Sequence, residues 1–414
     1  LYDKRNQVSF VSQGIISYLA GQKSVLFQSS YSSVEELKEA GLNMQMETVI
    51  EEIDTNHKKV FYRRNNSKKT KVTDYDKLIL ATGSYPAMTS VPFDKKSNLY
   101  FLKSMEDAIK AEEFLATAKN IAVIGGGMTG VEVARITQDR GIQTTLIHRN
   151  KNLLNDYLDE PASRLLESWM NAEGTRLLLN TEVTEISVDG ENTVVQTANG
   201  QKIAVDGVIF TIGFRPNSYL LNQQVELGDR GAVVVDEYMQ TSCPDVFAVG
   251  DVSTTYVNLL EENRYLPHAS DAVRDGEIAA INLLEARQKI TSTQGTYHVP
   301  MKNLVMAMTG ITMKQAVDFG YDADAVHLLN EHLEGRLPSN VWMIYERRTH
   351  QILGLQCIGK TSDMAEYVNI FSLAIQQQLR IEDIEFTDFY FEHGYKDPRG
   401  FNRILARLVR ENER

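Results

Sequence analysis

The chain has 414 residues, 43% of them hydrophobic and 24% charged, which is room for two or three domains with sizeable cores and too apolar for a disordered chain. A formal net charge of −12 excludes nucleic acid and anionic membrane surfaces as general partners, and the apolar runs are far too short to span a bilayer. The two cysteines, Cys243 and Cys357, form no CxxC pair, which excludes a disulfide framework or a zinc ribbon and fits a reducing cytoplasm.

In chain order, the opening LYDKRN reads as the end of a strand, with Asp3 just beyond it. KKTK at 68–71 reads as a solvated hairpin tip. DKLILATGSYP at 76–86 reads as an apolar strand ending at Gly83, followed by a turn with Pro86. At 121–149 the chain runs IAVIGGGMTGVEVARITQDRGIQTTLIHR. This predicts a strand, a glycine loop, a helix ended by Gly141 and a second strand. Gly125, Gly127 and Gly130 form G-x-G-x-x-G in the context a dinucleotide fingerprint requires. The first glycine permits the turn, the second lets backbone N–H groups approach a pyrophosphate, and the third lets the helix pack on the strand. The helix N-terminus then faces the phosphates. The residue after the second strand normally reads the adenosine ribose, an acid there favouring NAD. Here it is His148, followed by Arg149. No carboxylate repels a 2′-phosphate and a guanidinium is available to bind one, so NADPH is favoured over NADH.

DGVIFTIGFRP at 206–216 repeats the pattern of 76–86: Asp, an apolar strand, Gly seven residues later, then Pro three residues on. Each segment follows a similar strand end, YDKRN at 2–6 and IHRNK at 147–151, so the chain carries an internal duplication. The first copy then lacks its first strand, glycine loop and helix. The sequence is therefore expected to be a fragment of a chain roughly 25–40 residues longer. Asp3 takes the ribose position of a second dinucleotide unit.

TSCPDVFAVGD at 241–251 resembles the T-x-x-P-x-[VI]-[YF]-A-x-G-D segment of two-dinucleotide flavoproteins. With ATG at 81–83, the chain is identified as resembling the pyridine nucleotide-disulfide oxidoreductases. SFVSQGIISYLAG, TIGFRPN and DFYFEHGYKDPRGFNRILA bring it close to the NADH oxidase, NADH peroxidase and coenzyme A-disulfide reductase branch; TLIHR is similar to the last of these. The resemblance implies an α/β chain with two Rossmann-like domains, the first N-terminally truncated, and an α+β C-terminal dimerisation domain. The FAD domain would be 1–104 and 228–294, the NAD(P)H domain 105–227, and the dimerisation domain 295–414, making a cytoplasmic homodimer. Around FAD the resemblance places Asp3, Thr82, Gly83, Ser84, Asp251 on the ribityl–phosphate part, Ala269 starting a helix near the flavin ring, and Tyr395 reaching the partner's flavin region. Around NADPH or NADH it places Gly125, Gly127, Met128, Gly130, Glu132, His148, Arg149, Tyr157 and Gly213.

Two positions depart from the family pattern. Its S-F-x-x-C-G stretch carries a redox cysteine beside the flavin; here the stretch is SFVSQG and the position is Gln13. Glutamine hydrogen-bonds but has no redox chemistry. Met128 stands where the family usually has a tyrosine over the flavin; methionine covers a ring face without a hydroxyl. His268, just before the flavin-facing helix, is a candidate to approach the cofactor, and His393, in the closing motif, a candidate for an acid–base role at the dimer's flavin site; the alternative for each is a satisfied surface or interface histidine. No cluster has metal-ligand spacing. The implied activity is NAD(P)H oxidation through FAD with a two-electron acceptor, oxygen giving peroxide being the simplest case, without the thiol relay. The alternative is a flavin- or nucleotide-binding redox sensor or interaction protein with little turnover.

Overall fold

The computed structural model describes residues 1–12, 14–22, 30–87, 90–330, 339–360, 364–389 and 400–414. Its middle section is built on a five-stranded sheet in the order Leu99–Phe101, Gly207–Phe210, Asn120–Ile124, Gln143–Ile147, Arg176–Leu178. All its pairings are parallel. A parallel sheet must be covered on both faces, so its strands read as near-continuous apolar runs. Alternation along the strand NIAVI divides the work. Ile121 and Val123 join the helices Met105–Leu115, Met128–Asp139 and Glu160–Ala172 in one core, while Ala122 and Ile124 face an antiparallel meander of Val183–Asp189, Asn192–Thr197 and Lys202–Val205.

A second unit contributes the antiparallel sheet Thr48–Asp54, Lys59–Arg64, Lys71–Asp74 and the parallel pair Leu78–Leu80 with Val246–Ala248. Tyr2 bridges in parallel to Gln45, so the opening residues do lie in a strand-like pairing. KKTK closes the hairpin between the strands Lys59–Arg64 and Lys71–Asp74, its last residue, Lys71, opening the second strand. The helix Ala269–Asn282 starts at the residue expected of it.

The C-terminal section is an antiparallel sheet in the order Tyr297–Met301, Leu304–Gly310, Ile352–Gly359, Ser339–Glu346, Ala323–Asn330. Every residue of its central strand Ile352–Gly359 is buried. The helices Met364–Gln376 and Phe401–Asn412 contribute to the same core. A half-buried latch ties this section to the middle one. Asp159, at the start of the helix Glu160–Ala172, accepts the Met313 N–H (3.1 Å to each carboxylate oxygen) and Gln356 Nε2 (2.7 Å).

The duplicated segments meet each other. Ser84–Pro86 pairs antiparallel with Phe214–Pro216, Tyr85 opposite Arg215. The Ala87 N–H donates to Gly213 O and the Asn217 N–H to Gly83 O, both at 2.9 Å. Equivalent residues of the two copies thus exchange equivalent bonds about a local two-fold axis. Both glycines have positive φ, +65° and +96°, where a side chain would be strained. Among the described residues no helix is long and apolar enough to cross a membrane.

Candidate cofactor-binding site

The glycine loop closes as its sequence requires. Gly125 has φ +117°, and a Cβ there would stand 2.5 Å from Thr211 O. A Cβ on Gly130 would stand 1.8 Å from Gly125 O, so the helix Met128–Asp139 approaches the loop closely only with glycine at that position. Gly127, by contrast, has nothing within 4 Å of the Cβ position; that side of the loop is open for a ligand to approach the backbone. Thr211, which sequence reasoning passed over, ties the loop to the repeat strand: its Oγ1 donates within reach of Ile124 O (3.1 Å) and Gly125 O (3.0 Å).

His148 and the segment after it wrap this loop. His148 Nδ1 accepts the Gly126 N–H at 3.0 Å, and Nε2 lies 3.1 Å from Asn155 Oδ1. These partners assign the neutral tautomer with the proton on Nε2. Burial lowers its pKa, which favours the same neutral state. Gly126 admits the ring: a Cβ there would come 2.6 Å from His148 Cγ. Arg149, the next residue, is exposed and makes no hydrogen bond or ion pair among the described residues. Glu132 lies one turn into the helix, and burial pushes its carboxyl up to about 7 against the weaker pull of Arg135. Met128, the first helical residue, packs against the same core as Tyr157. Tyr157 meets Tyr297 edge-on with ring centroids 5.1 Å apart, and His268 meets Tyr297 at 4.9 Å. Burial raises the pKa of both tyrosines.

The second group of residues converges on Asp251, in the short 3-10 turn Gly250–Val252. Ser84 Oγ and Lys103 Nζ both donate to Asp251 Oδ2, each at 2.8 Å. Oδ1 accepts from no described residue. Lys103 also stands 4.6 Å above the Phe214 ring, so it meets both Asp251 and the repeat strand. Thr82 Oγ1 donates to Asn217 O (2.8 Å), and Asn217 Nδ2 returns a bond to Thr82 O (3.0 Å). Ala269 begins the helix whose N-cap is His268. Around the turn several buried polar atoms have no hydrogen-bond partner among the described residues: Thr254 Oγ1, Tyr265 OH and Asp275 Oδ1. Burial, and then the charge of Asp251, raise the pKa of Tyr265.

Asp3 stands apart from both groups. Arg5 holds it, the backbone N–H reaching Oδ1 at 2.9 Å and Nη2 reaching Oδ2 at 3.1 Å. Gln13, His393 and Tyr395 lie outside the described residues. Sequence reasoning missed Lys103, Tyr265 and Asp275. Lys103 had one visible signal, a single cation between the apolar LYFL and the capping box begun by Ser104.

The chain matches known families over most of its length. The model of the pyridine nucleotide-disulphide oxidoreductases matches residues 4–276, and that of their dimerisation domain matches 298–391. An NADH oxidase of Enterococcus faecalis is 32% identical over 417 residues, covering 100% of this chain and 93% of the relative. The water-forming NADH oxidase of Lactobacillus brevis, solved with NADH, superposes with a TM-score of 0.94 at 29% identity, covering 99% and 92% of the two chains. An engineered water-forming NADPH oxidase, a mutant of that enzyme solved with NADPH, superposes at 0.95, also with 29% identity and coverage of 99% and 92%.

Proposed function

The chain belongs to the pyridine nucleotide-disulphide oxidoreductase family, and we propose that it is an FAD-dependent NAD(P)H oxidase that passes electrons to oxygen and releases peroxide. The observation that carries the two-cofactor reading is the pairing of Ser84–Pro86 with Phe214–Pro216. It sets the matching turns of the two dinucleotide units against each other, so ligands held by the two units face one another.

The residues present fit both groups. Asp251 is fixed through one oxygen and keeps Oδ1 for a ligand hydroxyl. Tyr265 OH and Thr254 Oγ1 are buried polar atoms awaiting a partner. The open side of Gly127 and the N-terminus of the following helix suit a pyrophosphate. Bound FAD supplies two-electron chemistry between the reduced nicotinamide and the acceptor. The chain's own contribution is binding and orientation. Ser84 and Lys103 hold Asp251, the glycine loop cradles phosphate, and the apolar Met128 and Tyr157 keep water from the nicotinamide side.

Arg149 favours NADPH: it is exposed, unpaired and adjacent to the neutral His148, where an acid would repel a 2′-phosphate. The peroxide product follows from the thiols. Gln13 takes the position at which the resemblance expects the redox cysteine. Cys357 is fully buried in the C-terminal sheet, where burial raises its pKa and leaves it inert. Cys243 sits before the strand Val246–Ala248, its Sγ directed to Pro244 O. Neither relays electrons at the site, so the four-electron route to water lacks its thiol. The dimerisation-domain match supports a homodimer, and the low cysteine content supports a cytoplasmic enzyme.

An oxygen electrode tests this with FAD present. NADPH, then NADH, is added, and catalase is injected once oxygen has fallen. Return of about half the consumed oxygen is the expected result, from the stoichiometry of peroxide dismutation. Oxygen consumption with no return would sink the thiol argument. A yellow protein that consumes no oxygen, and whose flavin NADPH does not bleach, would instead be a nucleotide-binding sensor.

A further inference from the structure

The helix Ala269–Asn282 carries two acidic residues one turn apart, Asp271 and Asp275, and both are buried. Asp271 is paired with Arg274. Asp275 has no cation on it. Its Oδ2 accepts the Gly250 N–H at 3.1 Å, and its Oδ1 is buried without a partner among the described residues. The charged groups around it are Asp271 and Arg274 on its own helix and Asp251 on the turn; burial pushes its carboxyl up to about 6. A carboxyl group this deep, holding a single backbone N–H, costs stability and calls for a reason.

Its partner supplies one. Gly250 opens the turn that presents Asp251 and has φ +70°. A Cβ on Gly250 would stand 3.0 Å from Ala272 Cβ, so the turn lies directly on the helix. The two ends of the turn are then held differently. Ser84 and Lys103 grip the Asp251 side chain from one side, and Asp275 grips the backbone one residue earlier from the other.

We propose that Asp275 is a positioning residue for FAD: by accepting the Gly250 N–H it fixes the turn from which Asp251 offers its unpaired oxygen to the cofactor. The inference rests on the reading that FAD lies against Asp251. Asp275 itself does not touch the cofactor; it acts through Gly250 and Asp251.

The test is FAD affinity, measured by flavin fluorescence on titrating FAD into cofactor-free protein. Asp275→Asn keeps a carbonyl oxygen for the Gly250 N–H, and its dissociation constant is expected within about threefold of wild type. Asp275→Ala removes the acceptor and is expected to weaken FAD about tenfold or more, in line with loss of a buried hydrogen bond. In an Asp251→Asn background, Asp275→Ala is expected to cost about threefold or less, because the carboxylate it positions is gone. Should Asp275→Ala fail to fold, Asp275→Ser, whose hydroxyl is too short to reach the amide, gives the same comparison. Tight FAD binding by the Ala or Ser variant overturns the proposal. So does an Asn variant as weak as Ala, or a cost undiminished in the Asp251→Asn background. Failure of the wild-type chain to bind FAD at all would instead overturn the parent reading and take this inference with it.

Discussion

Replacing Glu132 by Gln is expected to stabilise the protein progressively as the pH rises from about 4.5 to about 7, fully above that, and to leave it nearly unchanged only below about pH 4.5. Glu132 lies in the helix Met128–Asp139, and burial raises its carboxyl from 4.5 to about 7. The folded chain therefore holds this proton more tightly than the unfolded chain does. The associated stability is fully present below about pH 4.5 and is lost as the pH rises through about 7. At about 1.4 kcal/mol per unit, the shift corresponds to an upper bound of about 3 kcal/mol above pH 7. Glutamine titrates nowhere in this range, so E132Q avoids that cost. For a domain of this size, about 3 kcal/mol raises the midpoint of thermal unfolding by several degrees, on the order of 5 °C. The assay is thermal unfolding followed by circular dichroism from pH 4.5 to 8.5. The gap between variant and wild type should open between about pH 4.5 and 7 and stay constant from there to about pH 8.5. A variant that tracks the wild type at every pH would show that the carboxyl ionises as it does in water, and the burial argument would fail.

Arg149→Ala is expected to raise KM for NADPH about tenfold and leave NADH within about twofold, since the guanidinium is proposed to meet only the 2′-phosphate; equal losses for both nucleotides would count against it. Gln13→Cys is expected to reduce the oxygen returned on catalase addition, and an FAD-loaded variant that still yields only peroxide would remove the thiol argument. Asp159→Ala leaves Gln356 and the Met313 N–H without their half-buried acceptor, and should cost roughly 1–3 kcal/mol in urea unfolding; a cost near zero would show that the latch between the middle and C-terminal sections contributes nothing.

What could be read from the sequence is what local chemistry determines. The glycine loop needs Gly125 and Gly130 at their fixed offset because Thr211 O and Gly125 O leave no room for a Cβ at either, while Gly127 keeps one side of the loop open. That requirement is visible along the chain. The duplicated Asp…Gly…Pro segments were visible for the same reason, each being a strand end and a turn. Their mutual pairing was not, because it joins residues some 130 positions apart in sequence, as Thr82 and Asn217 show. Lys103 was hidden likewise. Its partner Asp251 is 148 residues away, and the single cation in LYFLKSMED marks the position without naming the acid it meets. Asp275 reads in sequence as one more charge on an amphipathic helix, and only packing against Gly250 reveals it as buried.

His148 shows where position was legible and role was not. The sequence places it after the second strand, where an acid would read the ribose. The reading there was permissive: with no carboxylate, a 2′-phosphate is tolerated. The structure gives the ring a second task, since the Gly126 N–H donates to its Nδ1 and its Nε2–H donates to Asn155 Oδ1. An aspartate in its place would bring a charge to the adenosine end of the loop, and a neutral imidazole brings none. On the proposed NADPH reading, loop support and tolerance of phosphate are met by one uncharged side chain, which leaves Arg149 to supply the charge. On that reading two adjacent residues divide the place that a single acid takes in NAD-selective loops. It follows that His148→Asp should not simply reverse the preference. It should weaken NADPH through repulsion and also loosen the loop, since the shorter aspartate forfeits either the Gly126 or the Asn155 contact. KM for NADH is therefore expected to rise with KM for NADPH, and a clean exchange of one nucleotide for the other would show that the histidine carries no structural share.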